Sequence, residues 1–115
     1  AWAAETGAEY TTGFEHTGYF NRKYIPRKRS ADAQGDLNLT NPNNYRAIRY
    51  ADVLLMAAEA HHKAGNDGKA AEYLNDVRER AGLGEFTGDI MTAIKKERQM
   101  ELAFEGVRFL DLIRW

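Results

Sequence analysis

Three runs of apolar residues at helical spacing, each cut short by a glycine, constrain this chain more than any other feature. Ala47, Ile48, Ala51, Val53, Leu54, Leu55, Ala57, Ala58 and Ala60 include a stripe recurring at intervals of three and four. That is the pattern of a helix buried over much of its surface. It predicts a helix over about 49–64, ended by Gly65-Asn66. A second stripe, Ala70, Ala71, Leu74, Val77, Arg78 and Ala81, predicts a helix over about 68–81, with Asn66 or Asp67 as N-cap and Gly82 as its stop. A third, built on Ile90, Ala93, Ile94, Met100, Ala103 and Phe104, predicts a helix over about 89–105. Thr87 or Asp89 caps it, Gly106 stops it, and residues 107–115 turn into a short further helix. Only a few residues separate the first two helices, so they must run antiparallel.

The hairpin has a recognisable rhythm. Ala58, Ala70, Leu74 and Val77 fall where a tetratricopeptide repeat places its packing residues, small ones letting the backbones approach and larger ones filling the space alongside. The Trp, Tyr and Pro of the full repeat signature are absent. Residues 1–45 read differently: they are rich in Gly, Thr, Asn and aromatics and hold both prolines, Pro26 and Pro42. Thr17 to Ile25 is the best strand candidate, dense in aromatics and stopped by Pro26. Asp32 to Asn44 reads as a surface loop. The expected fold is therefore all-α: a tetratricopeptide-like helical hairpin plus a third helix over 46–115, after an extended, loop-rich region over 1–45 with a short strand near 17–25.

Hydrophobic residues make up 43% of the 115 positions, enough to bury a core in a chain of one domain's length or a piece of a larger one. The longest apolar stretch, Val53 to Ala58, is far too short to cross a membrane. The formal charge of −1 argues against a general nucleic-acid binder. Without cysteine the chain forms neither a disulfide nor a thiolate zinc site. It opens Ala1-Trp2-Ala3-Ala4-Glu5, without an initiator Met or a signal peptide, and reaches Trp115 directly after a dense pattern. The expectation is a fragment of a larger domain.

The sharpest motif is the last one. Residues 97–115 read ERQMELAFEGVRFLDLIRW and resemble the ER-x-x-ELAFEG-x-RF-x-DL-x-RW segment of the SusD/RagB family. Two further blocks agree in the expected order. Arg49 to Ala60, RYADVLLMAAEA, resembles the family's RYADVLLMYAEA helix, and Leu74 to Leu83, LNDVRERAGL, resembles its LN-x-VR-x-RAGL helix. Tyr19 to Pro26 also resembles a short strand of the family, so the likeness covers roughly residues 19–115. The resemblance implies a non-catalytic protein at the cell surface, lipid-anchored to the outer membrane, that captures oligosaccharides or other nutrient cargo and delivers them to a SusC-like TonB-dependent transporter. The anchor would lie outside these residues. Relatives build their glycan site largely upstream of this segment, so its residues are not carried over.

The charged residues of the motif have a physical reading of their own. On one continuous helix Glu97, Glu101 and Glu105 share a face at four-residue spacing and would repel unless screened. Arg78, Arg80, Arg108 or Arg114 set against them would make them tolerable. The expectation is a partly buried structural network of Arg78, Glu97, Arg98, Glu101, Glu105, Arg108, Asp111 and Arg114, since planar guanidinium groups suit bidentate carboxylate contacts. The competing reading is a glycan-cleaving pair with Glu97 or Glu101 as acid and base, which needs two carboxylates facing an open cleft. A third reading, without the family, is a repeat scaffold that binds protein segments in its groove.

Other candidates are weaker. His61 and His62 point about 100° apart on a helix and do not chelate together; no metal site and no cofactor are expected. The basic cluster Arg22 to Arg29 beside Tyr19, Phe20 and Tyr24 reads as a charged strand edge rather than a nucleic-acid contact. Sugars stack their C–H faces on flat rings, so Trp2 and Tyr10 are candidate ligand contacts. Trp115 is expected to be buried.

Overall fold

The computed structural model describes residues 13, 21, 23, 24, 35 and 44–115. The chain divides into two compact units, Ala1–Tyr45 and Arg46–Trp115. The described part of the second unit is all-α, with α1 Tyr50–Lys63, α2 Asp67–Arg80, α3 Ile90–Glu101 and α4 Arg108–Arg114. Most of the strand expected near 17–25 lies outside the described residues. Where it is described, Lys23 and Tyr24 form a turn instead. The Lys23 N–H donates to Asn21 Oδ1 at 3.0 Å, a side-chain-closed turn that competes with extended pairing.

The helix ends follow from capping chemistry. Asn66 accepts from the Lys69 N–H and starts α2, and Asp89 accepts from the Thr92 N–H and starts α3. Gly65 and Gly82 take the left-handed conformation, with φ of 79° and 75°. At α1 the Gly65 and Asn66 N–H groups reach the carbonyls of His62 and His61; at α2 the Gly82 and Leu83 N–H groups reach those of Glu79 and Arg78. Both pairs form the Schellman arrangement, which satisfies orphan carbonyls and needs positive φ where glycine stands. The three-residue connection Ala64–Asn66 folds α2 back along α1.

The third helix ends four residues earlier than its apolar stripe predicts, at Glu101 rather than 105. Leu102 and Ala103 leave the helix, and Phe104 turns left-handed at φ 65°. The physical cause is tertiary. The Arg49 guanidinium donates to the Glu101 carbonyl at 2.8 Å and so supplies the C-terminal cap from outside the helix. As a result Phe104, expected in the apolar face, is exposed; Met100 is exposed as well, within α3 but off the side that Ile90, Ile94, Glu97 and Arg98 bury. Ile48 is exposed too, because it precedes α1 rather than belonging to it.

The core lies where the first three helices meet. Leu55, Leu74, Val77 and Ile94 are its largest fully buried side chains, and Ala58 and Ala70 are buried completely with them. Small residues at those two positions let α1 and α2 pack closely. His61 and Tyr73 extend the α1–α2 contact, their rings 5.5 Å apart. Asn75 holds the connection to α3 by accepting the Phe86 N–H at 3.0 Å. Ile90 and Ile94 carry the inward face of α3.

Candidate functional site

The polar residues that the apolar stripes leave over form two ion-pair clusters binding α3 and α4 to the hairpin. The first sits at the C-terminal end of α3. Arg49 precedes α1 in extended backbone, which frees its side chain to reach across the unit. Its Nε and Nη2 grip both oxygens of Glu105, at 2.8 and 2.7 Å, while Nη1 donates to Glu101 Oε1 at 2.8 Å. This two-pronged geometry is available to a guanidinium and not to an ammonium. The Glu105 hydrogen bonds lift Arg49 above its ordinary pKa, against the opposing effect of burial. Arg80 of α2 takes the other oxygen of Glu101, Oε2, at 2.7 Å. One turn earlier, Arg78 joins Glu97 Oε2 at 2.9 Å and donates its Nε to the Gly84 carbonyl, tying α2, its following loop and α3 together.

The second cluster is centred on Arg98. Its Nη1 donates to Asp52 on α1 and its Nε to Asp111 on α4, both at 2.8 Å. Arg98 and Asp111 are among the few charged residues in the core. Arg114 approaches the other oxygen of Asp111 and donates to Glu59 Oε1 at 2.6 Å. That same Glu59 oxygen receives Lys63 at 2.7 Å and the Trp115 indole N–H at 3.2 Å. Burial pushes the Glu59 carboxyl up, but Arg114, Lys63 and Trp115 together outweigh it and leave the group at about 2. Glu59 likewise raises Arg114, more than burial lowers it.

Two expectations need correction. Glu97, Glu101 and Glu105 do not share one helical face, because α3 stops at Glu101 and Glu105 lies in the turn beyond it. Among the described residues Arg108 pairs with no carboxylate. It opens α4, two turns from Trp115, and its guanidinium carbon stands 5.9 Å from that ring. Lys95 and Arg114 also face the indole, at 5.2 and 4.9 Å, so half-buried Trp115 sits among cations attracted to its π face. Arg49, Asp52, Glu59 and Lys63 belong to the clusters but fell outside the expected set. A signal for two of them existed: Asp52 and Glu59 are seven residues apart, on one side of a helix otherwise bound for the core, and acids there require basic partners.

The arrangement is poor in reaction chemistry. Both oxygens of Glu101 face arginines, and Glu97 is buried against Arg78. An acid/base pair needs instead two carboxylates looking into a shared cleft. A hollow of about 780 Å³ lies between α1 and α2 over Tyr50, Ala51, Leu54 and Val77 and does not include Glu97 or Glu101. No group of three or more His, Cys, Asp or Glu among the described residues could hold a metal ion. His61 and His62 are engaged separately, His61 with Tyr73 and His62 with Asp67 at 2.7 Å. Trp2, Tyr10 and most of the Arg22 to Arg29 cluster lie outside the described residues. No described helix is long and apolar enough to cross a membrane.

Comparison with known sequences gives this architecture its relatives. The profile of the SusD family matches residues 1–115. The chain belongs to the SusD family. Among its curated relatives, SusD-like protein P2 of Formosa agariphila is 35% identical over 82% of this chain and 21% of its own length. SusD-like protein P25 of the same organism is 34% identical, over 83% and 20%. A SusD-like protein of Bacteroides ovatus is 31% identical, over 82% and 18%. This SusD-family chain thus spans about a fifth of the length of the relatives it matches. No solved structure matches it.

Proposed function

We propose that the full-length protein captures nutrients at the outer-membrane surface without cleaving them, with residues 46–115 as part of its helical framework. The cargo would be oligosaccharide in the first instance, delivered to a SusC-like TonB-dependent transporter, with a lipid anchor outside these residues holding the protein to the membrane. Membership of the SusD family across residues 1–115 carries this reading. The chemistry of the clusters supports its non-catalytic part. Arginines occupy Glu97 and Glu101 from α2 and from the approach to α1, so these carboxylates act as struts.

A glycan array on the intact protein tests the reading, alongside turnover assays on every polysaccharide whose fragments bind. Binding without cleavage is the expected result. Hydrolysis by the wild type that stops in Glu101→Gln would overturn it in favour of an enzyme. Peptide binding without oligosaccharide binding would keep capture and change its cargo.

The apolar-floored hollow between α1 and α2 supports a second reading, a tetratricopeptide-type scaffold for protein segments. Tandem repeats of about 34 residues in the full-length sequence would favour it, and a lipoprotein signal with its cysteine would favour capture.

A further inference from the structure

The turn between α1 and α2 is closed twice, once by backbone and once by side chains. The Gly65 and Asn66 N–H groups close it on the His62 and His61 carbonyls. Around them, His62 Nδ1 meets Asp67 Oδ1 at 2.7 Å and joins the last turn of α1 to the first residue of α2. A carboxylate accepts and does not donate, so Nδ1 carries the hydrogen of this bond. Nε2 is therefore the nitrogen left to take up a second proton, which imidazoles do between about pH 8 and 5.

Three surroundings of the ring favour its charged form. His62 lies in the last turn of α1, where the helix dipole places partial negative charge. Asp67 touches it from α2. Asp89, the N-cap of α3, is near enough to feel it: the Thr92 hydrogen bonds do most to hold the Asp89 carboxyl below its ordinary range, and His62 and Lys95 add to that. Lys63, Lys69 and Lys95 are engaged elsewhere, with Glu59, Glu72 and the Trp115 ring. His61 faces Tyr73. One imidazole thus stands where the end of α1 and the starts of α2 and α3 converge.

We infer that His62 is a proton-operated clasp: when Nε2 takes up a proton, the ring draws Asp67 and Asp89 toward one charge and tightens the α1–α2 turn against the start of α3. In alkaline solution the ring keeps its hydrogen bond to Asp67 but has no charge, so the turn opens more often. The core beneath, with Leu55, Leu74 and Val77 fully buried, does not depend on the clasp. The response is local: the His62 side chain is 28% exposed and that of Asp67 65%, and ion pairs open to water shift equilibria a few-fold rather than many-fold. This inference is independent of what the protein captures.

Amide hydrogen exchange in the full-length protein tests it, read by mass spectrometry on peptides covering Ala64 to Gly68. Rates are expressed as protection factors, which divide out the intrinsic pH dependence of exchange. Between about pH 8 and 5.5, protection of the turn is expected to rise about threefold in the wild type, in the range for a charge at a helix end. His62→Gln keeps a donor for Asp67 but takes up no proton, so its protection should stay flat. Asp67→Asn should show less than half of the wild-type rise. A wild-type turn whose protection does not change would overturn the inference. An equal rise in His62→Gln would overturn it too, by assigning the response to another group, and a full rise in Asp67→Asn would do the same.

Discussion

Arg98 on α3 donates its Nε to Oδ2 of Asp111 on α4 at 2.8 Å, and both side chains are 4% exposed. The pair connects two elements that share little apolar surface, so it sets where α4 lies and which side of it faces out. Asp52 on α1 holds the remaining edge of the same guanidinium. Three helices therefore depend on one arginine; its removal takes the Arg98 pair from Asp52 and leaves Asp111 with Arg114 alone.

Replacing Arg98 with Met is expected to destabilise the unit by about 3 kcal/mol, the lower end of the usual cost of breaking a buried pair, since Arg114 still holds Asp111 and Asp52 reaches solvent. Arg80→Met should cost at most about 1 kcal/mol, because Arg80 is 59% exposed and its pair with Glu101 is screened by water. Urea unfolding of both variants measures the contrast. Equal losses would mean that burial of the Arg98 pair carries no special weight.

At position 49, charge alone should not suffice. Lysine has one ammonium where Arg49 has three nitrogens, and these reach Glu105, the Glu101 carboxylate and the Glu101 carbonyl together. Arg49→Lys is expected to lose about 1–3 kcal/mol, in the range for hydrogen bonds to charged groups. It should also speed amide hydrogen exchange over residues 102–105, where the Arg49 cap holds the turn. Unchanged exchange there would show that the turn closes without it.

Glu59 should give the unit an acid limit. Its carboxyl lies at about 2 in the folded protein against 4.5 for an ordinary glutamate. The folded state therefore resists protonation more than the unfolded chain does. The resulting stability is complete above about pH 4.5 and is lost as the pH falls toward 2; it is of order 3 kcal/mol at about 1.4 kcal/mol per pH unit. Urea midpoints between pH 6 and 2 should fall more steeply for the wild type than for Glu59→Gln. Parallel curves would remove Glu59 as a contributor.

The helices were legible because their signals are local. Apolar spacing places Leu55, Leu74 and Ile94 inward, and Gly65 and Gly82 stop their helices by a conformation that other residues adopt at a cost. The end of α3 was not legible. Met100, Ala103 and Phe104 continue the stripe in sequence, yet Arg49 caps the helix at Glu101 from more than fifty residues away. The pairings behave the same way. An alternation of arginines and carboxylates announces a network, but nothing local tells Arg108, which turns to Trp115, from Arg114, which binds Glu59 and Asp111.

By itself the amino-acid sequence determined that residues 46–115 form helices, roughly where these begin and end, and which family the chain belongs to. Periodicity, capping and motif order act over a few residues and survive in any arrangement of the chain. Only the tertiary structure decided which arginine meets which carboxylate, where α3 stops and which side α4 shows. Those outcomes rest on hydrogen bonds between different elements, from 13 positions apart at Arg98–Asp111 to 56 at Arg49–Glu105, whose distances and angles exist only once the helices have packed.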